Sequence, residues 1–246
     1  MKSIPFPIRI LLIVLIFSIA MGFLESAVVV YLREILYPGG FDFPLAPINL
    51  HLAITELIRE AATLIMLLTI GIIAGRTASE RFAWFIFSFA IWDIFYYIFL
   101  KLLLGWPESL LTWDILFLIP IMWIGPVISP VIVALTMILL AVIIIYYNSK
   151  TGQVMIKWLD WGILISGSLI LILTWIWDYS GYILEHFSFS EIRTIPKNDL
   201  YEVAIQYIPR KFKWGLFWIG EGIILSGIVL IFLRLRNTTK ENQRLF

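Results

Sequence analysis

Seven charged residues stand inside stretches that are otherwise apolar: Glu25, Glu56, Arg59, Glu60, Asp93, Asp178 and Glu221. Within a bilayer such groups are costly, and they usually face a bundle interior or water. Their spacing is orderly. Glu56, Arg59, Glu60 and Thr63 recur every three or four residues and form one helical stripe. Asp93, Tyr97 and Lys101 form a second stripe, and Thr174, Asp178 and Tyr182 a third. Trp214, Trp218, Glu221 and Gly222 share a fourth face. With Lys101 included, six acids face two bases, so four acids lack a basic partner. A carboxylate left alone in low dielectric takes up a proton. The set is therefore expected to hold protons, bind a cation or be wetted from outside, in an outward-facing cavity.

The elements that must position these groups follow from composition. Of 246 residues, 61% are apolar and 14% charged, where a soluble domain has about 25% charged. The formal net charge is +1, which excludes a basic field for nucleic acid. There is no cysteine, so disulfides, thiolate nucleophiles and zinc–thiolate sites are excluded. Six runs are long enough to cross a membrane as helices: 8–36, 48–74, 82–104, 115–147, 158–184 and 214–235. They lack the alternation of a spanning barrel. The expected fold is an all-α polytopic transmembrane bundle in one integral-membrane domain, 1–246, with an outer loop over 185–213.

Pro120, Pro126 and Pro130 lie within eleven residues and are expected to break the fourth span. Residues 107–119 read as a short re-entrant or interfacial helix, with the crossing proper starting near Pro126. Residues 199–207 read as a short helix on the membrane surface. Lys2 and Arg9 precede an apolar run that continues past Ser18-Ile19-Ala20, which favours an uncleaved anchor over a signal peptide. Ten Lys and Arg residues fall on the side of both termini and seven on the other, so both termini are expected in the cytoplasm of a cell membrane.

His51 and His186 are the only histidines. With Glu56, Asp178 or Glu185 they would supply a mixed nitrogen–oxygen metal site, although no HExxH spacing is present. No other cofactor is expected. Gly71 to Gly75 is a GxxxG motif, and Gly222 to Ser226 has small-xxx-small spacing; both suggest close helix packing. Trp92, Trp123 and Trp218 are deep enough to line a cavity.

Trp92-Asp93-Ile94-Phe95 followed by Pro107-Glu108 is similar to part of the motif of membrane carotenoid cyclases. Ser109 replaces the second acid of that motif and no second half-motif follows, so no activity is carried over. Three functions fit the residues. The first is a small transporter or permease for a proton, cation or small solute. The second is an intramembrane enzyme acting on a lipid or isoprenoid through a protonated carboxylic acid. The third is a non-catalytic subunit or scaffold, which would bring a membrane partner or a second copy of the chain. The first is taken as the working expectation.

Overall fold

The computed structural model describes residues 6–244; side chains are described for these except 197, 198 and 240–244. Lys2 therefore lies outside the described residues. In chain order the elements are α1 (Ile8–Leu36), α2 (Leu50–Ala74), α3 (Ala78–Leu104), β1 (Trp113–Phe117), β2 (Trp123–Pro126), α4 (Ile128–Thr151), α5 (Trp158–His186), α6 (Lys197–Ile205) and α7 (Trp214–Arg244). Six of these helices are long and apolar enough to cross a bilayer. The chain is a multi-pass membrane protein built as a helical bundle.

Local chemistry marks the helix ends. The Asn49 side chain accepts the Leu52 N–H at the start of α2, and Thr77 accepts the Glu80 N–H at the start of α3. Asp160 reaches back to the Lys157 N–H and caps α5. Gly105 and Gly152 adopt left-handed backbone, φ 69° and 80°, and close α3 and α4.

Helix α3 is the centre of one group and packs on α1, α2 and α4. Helix α5 packs on α7, and α7 also touches α4. Small residues set these crossings. A Cβ on Gly71 would stand 2.8 Å from Phe85 of α3, and one on Gly167 2.9 Å from the Gly220 carbonyl of α7. The GxxxG motif is thus used inside the chain, whereas Gly222 faces open space. At the far end of α5 and α7, Arg234 makes two bonds to buried Asp160, at 2.6 and 2.9 Å. Large apolar side chains along the outer faces of α1 and α2 remain exposed, as lipid contact requires.

The segment between α3 and α4 differs from expectation. Residues 107–119 do not form a re-entrant helix. An antiparallel hairpin stands there, pairing Asp114 with Gly125 and Ile115 with Ile124. The segment is rich in aromatic and branched residues and flanked by Pro107 and Pro120, so pairing satisfies its backbone better than a helix interrupted by prolines. The fourth spanning helix starts at Ile128, close to the start expected near Pro126, and it is not broken. Pro120 lies between the strands, Pro126 ends β2, and Pro130 occupies the first turn of α4, where a missing N–H removes no helical bond. Trp123 of the hairpin stacks on Trp175 of α5, whose indole N–H donates to Ser129 at 2.9 Å.

Candidate functional site

Helices α1, α2 and α3, the hairpin and α6 enclose a cavity of about 520 Å³. Counted at about 1.5 Å per residue, Glu25, Arg59 and Asp93 lie about 14–17 Å along their helices from the same end of the bundle. That places the polar wall deep among apolar helices. Arg59 is its centre. Its Nε donates to Glu56 at 2.8 Å and its Nη1 bonds Glu25. Thr63 donates to Glu25 at 3.2 Å from one turn further along α2. Both oxygens of Glu60 accept the Leu118 N–H, at 2.9 and 3.0 Å, and tie the hairpin to α2.

A second charged pair stands nearer the mouth. Arg33 Nη2 donates to Asp114 Oδ1 at 3.2 Å, and the Tyr97 hydroxyl donates to Asp114 Oδ2 at 3.3 Å. The Arg33 guanidinium lies over Trp106 and Phe41, 3.7 and 4.4 Å from their ring centres. Such stacking fixes the plane in which its N–H groups point. Burial pushes the Asp114 carboxyl up to about 6, against the pull of the Arg33 guanidinium. Arg33 also borders a second cavity of about 580 Å³ that includes Gly39, Gly40 and Glu108.

Asp93 lines the main cavity on the same α3 face as Tyr96 and Tyr97. Its Oδ2 is buried and has no hydrogen-bond partner. Below Glu25 and Thr63 the space is closed by an apolar cluster of Met21, Leu67 and Trp92. Above, Tyr201 of α6 bonds the Ile48 backbone through its hydroxyl at 2.6 Å, and Leu45 N–H donates to Ile205 at 3.0 Å. These ties hold α6 against the link between α1 and α2. Laterally the cavity is lined by Val29 and Leu32 of α1 and by Ala53, Ile54 and Leu57 of α2. Ile54 and Leu57 are 46% and 44% exposed, so the apolar wall reaches the outer surface of the bundle.

Of the residues nominated from sequence, Glu25, Glu56, Arg59, Glu60, Asp93 and Tyr97 meet at this cavity. Lys101, Asp178 and Glu221 do not. Lys101 donates to the Gly105 and Pro107 carbonyls, at 2.9 and 2.8 Å, and fastens the turn after α3. Asp178 accepts from the Tyr207 hydroxyl and the Arg210 N–H, at 2.7 and 2.8 Å, and anchors the segment after α6. Glu221 is buried at the α4–α7 contact, bonded to Thr136. The convergence therefore involves three spanning helices and a hairpin. Trp92 lines the cavity, Trp123 stacks on Trp175, and Trp218 is 54% exposed on the outside of α7. His51 is exposed on α2, and exposed His186 turns its Nδ1 toward the Tyr182 carbonyl at 2.9 Å. Among the described residues no three His, Cys, Asp or Glu side chains stand together as a metal site would need.

Sequence reasoning passed over Arg33 and Asp114. A signal for Arg33 was present: Gly22, Ser26, Val29 and Arg33 recur every three or four residues, and Gly22 and Ser26 are buried against α3. For Asp114 the one hint is the Trp113-Asp114 dipeptide, which repeats Trp92-Asp93 and Trp177-Asp178. The chain matches no protein-family model, no curated protein and no solved structure.

Proposed function

We propose that this membrane protein takes an amphipathic, lipid-like molecule from the bilayer and holds its polar head in the cavity, where Asp93 is the acid–base group. The observation that carries this reading is the cavity's two-sided lining. Charged groups form the deep wall, and apolar residues of α1 and α2 form a flank that continues onto the lipid-exposed surface. A free apolar ligand would not need five carboxyl groups and two guanidiniums, and a free polar solute would not need that flank. This is the reading of a lipid- or isoprenoid-modifying protein. The Lys and Arg bias supports an orientation in a cell membrane with both termini cytoplasmic, which puts the cavity in the outer half.

Transport of a proton or small cation is a second reading, favoured by the excess of carboxyl over guanidinium groups. The apolar closure by Met21, Leu67 and Trp92 supports the first reading over it. The test is a native mass spectrum of the protein extracted in mild detergent from its own membrane. The expected result is a discrete lipid-sized adduct that is absent from Ala53→Trp, which fills the apolar flank. A bare protein, together with proton uptake into proteoliposomes that Asp93→Asn abolishes, would replace the amphiphile reading with transport.

A further inference from the structure

The head group can be narrowed by asking which charged atoms at the cavity are already occupied. Arg59 is held by Glu25 and Glu56. Glu60 accepts the Leu118 N–H on both oxygens. Asp114 is occupied on one oxygen by Arg33 and on the other by Tyr97. Among the charged side chains that line the cavity, two retain buried polar atoms without partners, Arg33 through Nη1 and Asp93 through Oδ2; Trp92 adds an unpartnered indole N–H, and Glu221 Oε2 is unpartnered away from the cavity. Arg33 and Asp93 line the same cavity, and Arg33 is only 7% exposed. Buried polar atoms are almost always hydrogen-bonded, so each of these points to a group it would meet in use.

Their chemistry is opposite. A guanidinium held against the perpendicular rings of Trp106 and Phe41 offers fixed donors, which suit a phosphate or carboxylate oxygen. Asp93 can only accept when ionised, and it shares the cavity with the rings of Trp92, Tyr96 and Tyr97. Aromatic faces beside a carboxylate favour an ammonium. The formal excess of acid over base in the lining favours a positive charge there as well. We infer that the bound head is zwitterionic, with an oxyanion against Arg33 and an ammonium against Asp93. This rests on the amphiphile reading above and specifies its substrate class.

The test uses purified full-length protein in detergent and native mass spectrometry titration with three single-chain probes of equal chain length. These are lysophosphatidylethanolamine, lysophosphatidic acid and a primary alkylamine; chain-free phosphoethanolamine is the fourth ligand. One charge-assisted contact corresponds to about tenfold in affinity. The zwitterionic lysolipid is expected to bind about tenfold tighter than either probe that carries only one of the two charged groups, and chain-free phosphoethanolamine more weakly still. Arg33→Gln should erase the preference over the alkylamine, and Asp93→Asn the preference over lysophosphatidic acid. The ranking in the unaltered protein decides the matter even where a variant fails to fold. Equal binding of the three chain-bearing probes, or preference for one that carries only one of the two groups, overturns the zwitterion and leaves the amphiphile reading standing. Binding of none of them overturns both. Binding of phosphoethanolamine as tight as its lysolipid keeps the zwitterion and overturns the need for a chain.

Discussion

Asp114 Oδ1 lies 3.2 Å from Arg33 Nη2, which joins a hairpin strand to the last turns of α1 across 81 residues of chain. Both side chains are almost fully buried. The pair therefore holds the hairpin over the cavity and also fixes the guanidinium beside it.

Breaking this pair from one side should be costly. Arg33→Ala strands a buried carboxylate and is expected to destabilise the protein by about 3 kcal/mol. Adding Asp114→Asn should recover much of that loss, because the buried charge disappears with its partner. Thermal unfolding in detergent at pH 8 measures all three variants. A double variant no more stable than Arg33→Ala would contradict the pairing.

The pH dependence of the same site has a defined sign. Burial raises the Asp114 carboxyl to about 6 from its ordinary 3.8. The folded chain then holds this proton more tightly than the unfolded chain. Its contribution to stability is fully present below about 4 and is lost as pH rises through about 6. The difference in melting temperature between the unaltered protein and Asp114→Asn isolates this group. That difference should shift in favour of Asn as pH rises from 4 to 7.

Asp160 and Arg234 offer a structural control. Their pair lies at the other end of α5 and α7, away from the cavity. Asp160→Ala should lower stability by about 2–4 kcal/mol, since Asp160 is buried and also caps α5. Lysolipid affinity should stay within about twofold, well inside the tenfold of one charged contact. A large loss of binding with unchanged stability would mean the two ends are coupled.

Glycine substitutions separate packing from propensity. At Gly71 a methyl group would meet Phe85 and the Arg81 carbonyl at 2.8 and 2.9 Å, so Gly71→Ala should cost about 1–3 kcal/mol. At Gly162 a methyl group meets nothing within 4 Å, so Gly162→Ala should be neutral or gain up to about 1 kcal/mol. Melting temperatures in one detergent compare the two directly.

Part of the site could be read from one strand of text. Glu56, Arg59, Glu60 and Thr63 share a helix, so their spacing alone put them on one face, and the fold keeps that face toward α1 and the hairpin. Glu221 and Asp178 are equally conspicuous, yet they meet other neighbours: Thr136 bonds one oxygen of Glu221, and Tyr207 bonds Asp178. Spacing says which residues share a face but not which neighbour that face meets. The hairpin was misread for a related reason. Short apolar runs fit strand or buried helix alike, and only pairing with a distant partner chooses between them.

Six spanning helices are legible in hydropathy alone, because about 20 apolar residues in a row leave the backbone no other way to satisfy itself in lipid. So are the charges within those helices that need an interior partner. Which charges meet is set by how the helices pack. Arg33 pairs with Asp114, and Asp93 keeps a buried oxygen without a partner, because α1 packs on α3 and the hairpin reaches both helices through Asp114. That arrangement depends on the order of helices around the bundle, which close contacts such as Gly71 on Phe85 settle and which hydropathy along the chain does not encode.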